Sequence, residues 1–110
     1  MQISTQNNIA ILTQKSELLT DFLSQLQQQW PSLNSQHLVL VLLAKQDIAG
    51  AALSLIEELS AAHKELRKSF VVVTDALDYD TAPEHVEVVP TLQEALDVIE
   101  MEEIERDLGI

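Results

Sequence analysis

The stretch HLVLVLLAKQDIAGAALSLIEELSAAHKELRKSFVVV, residues 37–73, decides the fold. After His37 it runs Leu38-Val39-Leu40-Val41-Leu42-Leu43, without the alternation of a strand that has one wet face. The run is far too short to cross a membrane, and its pattern predicts a strand covered on both sides. Asp47 then stands where a helix N-cap is expected. Ile48, Ala52, Leu55, Ile56, Leu59, Ala62 and Leu66 recur at helical spacing up to about Lys68. The basic residues of this segment fall in its last turns, where they suit the helix dipole. Phe70-Val71-Val72-Val73 reads as a second buried strand. Strand, helix, strand in this order make a parallel pair joined by a right-handed crossover.

The same reading extends outward in both directions. Toward the N-terminus, Asn7-Asn8 suits the positive φ of a tight turn, so residues around Ile3 are expected to pair back on Ile9-Ala10-Ile11-Leu12 as a hairpin. Ser16 is the expected cap of a helix from Glu17, with Leu18, Leu19, Phe22, Leu23, Leu26 and Trp30 as its apolar stripe and Pro31 as its stop. Toward the C-terminus, Val86, Val88 and Val89 mark a strand ended by Pro90. Thr91-Leu92-Gln93-Glu94 is a capping box opening a helix with Leu92, Ala95, Leu96 and Ile99 inward. The pattern loosens through Met101, Ile104 and Leu108, and Gly109 is placed as a C-cap. The expected architecture is one α/β domain over residues 1–110, β-β-α-β-α-β-β-α. Its sheet is mainly parallel with an antiparallel N-terminal edge hairpin, its helices pack largely on one face, and residues from about 100 to 110 extend the last helix as an acidic end.

Aromatic residues make up 4% of the 110 residues, so the core must be aliphatic. There is no cysteine, which removes disulfides, thiolate metal sites and thiol nucleophiles. Met1 to Gln6 has neither a basic segment nor an apolar run, so a secretory signal is not expected, and the expected location is the cytoplasm. The net charge is −12 and unevenly spread: residues 75–110 hold twelve acids against one base, Arg106, while residues 1–74 hold six acids against five bases. A field of that sign disfavours nucleic acid and anionic lipid and favours basic protein partners. It is equally what a solubilising face looks like.

Few residues suggest chemistry. His37, His63 and His85 lack the spacing of a metal site and read as structural or solvent-facing. Asp75, Asp78 and Asp80 cluster after a strand end, the edge where open α/β sheets bind ligands. They are most simply turn formers, with magnesium as the alternative. With glycine only at 50 and 109, no phosphate loop or nucleophile elbow exists. Thr74 has no neighbouring base to activate it. Trp30 reads as a core lid or, less simply, a binding anchor.

Leu38–Leu43, the turn Asp47-Ile48-Ala49-Gly50, the helix from Ala51 to Lys68, Phe70–Val73 and Thr91-Leu92-Gln93-Glu94-Ala95-Leu96 together resemble the STAS domain, the sulfate transporter and anti-sigma factor antagonist family. The resemblance covers nearly the whole chain. In the antagonist branch the turn reads Asp-Ser-Ser/Thr-Gly and its second hydroxyl residue is phosphorylated. Here Asp47 and Gly50 stand, but Ile48 and Ala49 replace both hydroxyl residues, so no phosphosite is expected. The resemblance implies a non-catalytic regulatory module that binds another protein through Asp47, Ile48, Ala49 and Gly50. It calls for no cofactor and leaves a homodimer open. The tail from Ile99 to Gly109 is similar to that of small bacterial STAS-like proteins, some encoded beside an RNA-processing nuclease. The alternative expectations are therefore an acidic accessory partner of a basic enzyme, or weak metal or small-ligand binding at Asp75, Asp78 and Asp80.

Overall fold

A computed structural model describes residues 1–44, 46–77, 82–83 and 85–109. The elements follow in the expected order: β1 (Gln2–Gln6), β2 (Ile9–Thr13), α1 (Leu19–Leu33), β3 (His37–Val41), α2 (Gly50–Glu65), β4 (Phe70–Val73), β5 (Glu87–Val89) and α3 (Leu92–Leu108). The strands lie in the sheet in chain order, β1-β2-β3-β4-β5. β1 is antiparallel to β2 and the remaining neighbours are parallel. Asn7 and Asn8 have φ of 48° and 65° between the paired Gln6 and Ile9. Positive φ at both loop residues makes the two-residue turn that matches strand twist.

β3 and β4 are buried on both faces, as their unbroken apolar runs require. On one face Ala10, Leu12, Leu38, Leu40, Phe70 and Val72 meet Phe22, Leu23 and Leu26 of α1 and Ile56 and Leu59 of α2. On the other, Ile11, Val39, Val71 and Val73 meet Ala95 and Ile99 of α3. Helices therefore occupy both faces, α1 and α2 on one and α3 on the other. This corrects the expectation that they lie largely on one side. Two strands apolar on both faces leave a second surface that must be covered, and α3 covers it.

Four helix boundaries also differ from expectation. α1 begins at Leu19 with Leu18 in the cap position and no side-chain cap, so Ser16 is not its N-cap. Pro31 sits inside α1, which continues to Leu33 with Trp30 helical. The final turn is retained because Leu33 is buried in the core, while Pro31 and Gln27, whose carbonyl loses its usual amide partner, lie on the exposed side. α2 begins at Gly50 after Ala49, not at Asp47, and ends at Glu65 instead of Lys68. Arg67 just beyond it has φ of 62°, a turn out of the helix.

α3 starts and stops as expected. Thr91 Oγ1 accepts from the Glu94 amide at 3.2 Å and donates to Glu94 Oε2 at 3.1 Å. Gly109, with φ of 76°, closes the helix through bonds from its amide to the Arg106 and Glu105 carbonyls. Thr91→Ala is expected to cost about 1 kcal/mol in urea unfolding. Glu94→Ala should cost less and the double variant less than the sum, because the two share one motif. No loss in Thr91→Ala would contradict the cap.

Candidate functional site

The carboxyl ends of the parallel strands, where α/β sheets usually bind ligands, carry the turn Asp47–Gly50. Behind it the ends of β2 and β3 are bridged by two amides. Gln14, almost wholly buried, donates to the Glu17 carbonyl at 2.9 Å and accepts from the Leu43 amide at 3.0 Å. Gln46 donates to Gln14 Oε1 at 2.6 Å and to the Leu43 carbonyl at 2.9 Å. These bonds tie the loop after β3 to the end of β2. Ile48 is buried in the larger core, so it anchors the turn; Asp47, Ala49 and Gly50 are exposed. Gly50 has φ of 58° with open space where a Cβ would lie, so glycine serves the backbone there and not a close approach.

Beside this turn, Thr74 is buried and its hydroxyl accepts from the Ala76 amide at 3.0 Å, a local turn bond. Asp75 is exposed. Asp78 and Asp80, the other members of the acidic trio, lie outside the described residues. Among the described residues, no three His, Asp or Glu side chains converge as a metal site.

The opposite edge of the sheet holds a polar cluster. His37, at the start of β3, is buried, and its Nδ1 accepts from the Ser69 amide at 2.9 Å. That bond fixes the proton on Nε2, which donates to Glu103 of α3 at 2.6 Å. Burial lowers the His37 pKa below its usual value, against the opposing pull of the Glu103 carboxylate. The Ser69 hydroxyl donates to Glu102 at 2.5 Å and accepts from Arg106 Nη2 at 3.2 Å. With Asn8, Arg67 and Lys68, His37, Glu103 and Arg106 border an open depression of about 320 Å³. The arrangement is poorly suited to nucleophilic catalysis. His37 spends its one free lone pair on the Ser69 amide, so it cannot take a proton from the Ser69 hydroxyl. What these residues do is clamp the second half of α3 to the sheet.

The sequence matches no protein-family model and no curated protein.

A histidine also lies inside the core. His63 of α2 is fully buried; its Nδ1 accepts from Trp30 Nε1 at 3.1 Å and its Nε2 donates to the Gln36 carbonyl at 2.7 Å. Its ring meets Trp30 and Phe70 edge-on, with centroids 6.1 and 6.0 Å away. Trp30 is thus the partly buried lid over a polar link between α1 and α2. His63 is structural, as expected, and burial lowers its pKa to about 4.

Sequence reading placed the turn between β3 and α2 but missed the clamp on α3. Glu103 lies 66 residues from His37, and no local pattern pairs them. The available signal was Glu102, Glu103 and Arg106 on neighbouring helix positions below a strand opened by histidine.

Proposed function

We propose that this chain is a non-catalytic, STAS-like protein-interaction module whose contact surface is the turn before α2. The observation that carries this reading is the construction of that turn. Ile48 is sunk in the core and the Gln14–Gln46 pair braces the preceding loop, while Asp47, Ala49 and Gly50 are held outward. A surface of small residues beside one carboxylate lets a partner's backbone approach closely. The element order and mixed sheet agree with what the resemblance implies. Without a hydroxyl residue at 48 or 49, binding is constitutive and set by protein amount, not by a phosphate at the turn.

The test is affinity capture from the native cell with quantitative mass spectrometry. The baits are the wild-type chain, Ala49→Arg, and Ser24→Arg on the exposed side of α1. A specific partner should fall about tenfold with Ala49→Arg, as for disruption of a contact centre, and remain with Ser24→Arg. A partner held equally by all three baits would place the interface elsewhere and refute the assignment.

A further inference from the structure

α3 carries two apolar faces, and only one of them is used by the fold. Ala95 and Ile99 are buried against the sheet, and Glu102 and Arg106 continue that side. Met101, Ile104 and Leu108 are exposed by 62%, 52% and 69%. At about 100° per residue these three fall within an arc of roughly 60° on the opposite side, a strip about 10 Å long. Asp97 lies on the same side one turn before the strip, and Glu100 and Glu105 flank it, all exposed. The only cation of α3, Arg106, is turned inward to Ser69. Isolated exposed apolar residues are ordinary. Three in register, bordered by one sign of charge, form a recognition pattern.

We propose that the outer face of α3 is a docking surface for a cationic amphipathic helix on a partner protein. The apolar triplet would receive a ridge spaced i, i+3 or i+4, i+7, and the bordering carboxylates would meet lysines or arginines beside that ridge. Charge selects this occupant. A second copy would bring another acidic α3 against this one, and anionic lipid or nucleic acid would be repelled by a chain of net charge −12. The proposal extends the interaction-module reading to a second surface, and its test leaves the turn before α2 untouched.

The probe is a fluorescently labelled synthetic helix of leucine and lysine with leucines at the matching spacing, titrated into the full chain and followed by anisotropy at low and high salt. A scrambled peptide of the same composition keeps the charge but not the ridge. The variant Met101→Ser/Ile104→Ser/Leu108→Ser removes the apolar strip without changing charge, and its fold is checked by circular dichroism. Ile104→Gln alone serves if the triple variant unfolds. The wild type should prefer the ordered peptide over the scrambled one by about tenfold. The serine variant should lose that preference, high salt should weaken binding, and Ser24→Arg on the exposed side of α1 should leave it unchanged. Equal binding of both peptides by the wild type would reduce the effect to bulk charge and overturn the proposal. So would an unaltered preference in the serine variant, or self-association of the wild type that the serine variant abolishes.

Discussion

Between pH 6.5 and 4 the protein is expected to lose about 3 kcal/mol of stability through His63 alone. The neutral ring fits its site on both sides: Nδ1 accepts from the Trp30 indole and Nε2 donates to the Gln36 carbonyl. A proton on Nδ1 would set two donors against each other in a site without access to water. Burial accordingly holds the pKa near 4, against an ordinary value of 6.5. The unfolded chain therefore takes up its proton near pH 6.5 and the folded chain only near 4, so the unfolded state binds more protons between these values. Stability from this group is complete above pH 6.5 and falls as the pH drops toward 4. The lowered pKa of His37 acts in the same direction. The net charge of −12 works the other way, since acid relieves carboxylate repulsion. The decisive measurement is therefore a difference: urea unfolding of the wild type and His63→Leu from pH 4.5 to 8. The variant should be weaker by about 2 kcal/mol at pH 8, with the Trp30 and Gln36 groups unpartnered, and the gap should narrow below pH 6.5, close near pH ~5 and then reverse. A gap independent of pH would show that His63 does not titrate in this way.

Phe70→Ala should cost more still, about 3–5 kcal/mol at neutral pH. Phe70 and Phe22 are the only phenylalanines, and both are fully buried. Phe70 opens β4, faces the layer of α1 and α2, and meets the His63 ring edge-on. The surrounding core is otherwise largely Leu, Ile, Val and Ala, anchored on strands that hydrogen bond on both sides and cannot close easily around a void. Phe70→Leu keeps most of the volume and should lose only about 1 kcal/mol. A similar loss in both variants would show that shape, not volume, is limiting at this position. The alanine variant should also raise the His63 pKa, because a cavity beside the ring admits water; NMR titration of the imidazole reads that shift directly.

What could be read from the sequence follows a physical division. β3, β4, the Asn7-Asn8 turn and the Thr91–Glu94 cap were legible because each is decided within a few residues, by apolar continuity, positive φ or a side chain reaching its own helix end. Ser16, Pro31 and Asp47 misled because tertiary burial outweighed a local preference: Leu33 holds the last turn of α1 past a proline, and Ile48 pins the entry to α2 in place of a cap. The second half of α3 reads as loosened periodicity because two apolar faces, one for the sheet and one outward, are written on the same helix. The turn at residues 47–50 follows β3 in the chain, and that order alone sets it at the carboxyl ends of the strands. The bonds of His37 and Ser69 to α3 depend on the folded sheet bringing distant segments together, and no periodicity encodes that.

The strand order has a consequence for how the chain is made. Each new strand from β2 onward meets an edge already laid down, so the sheet can grow in the direction of synthesis without waiting for a later partner. The face formed by Ile11, Val39, Val71 and Val73 is the exception. It stays bare until α3, the last element, has left the ribosome. A nascent chain stalled before Leu92 would carry a nearly complete sheet with one greasy side open. That interval, before α3 docks, is when the apolar face is open to aggregation.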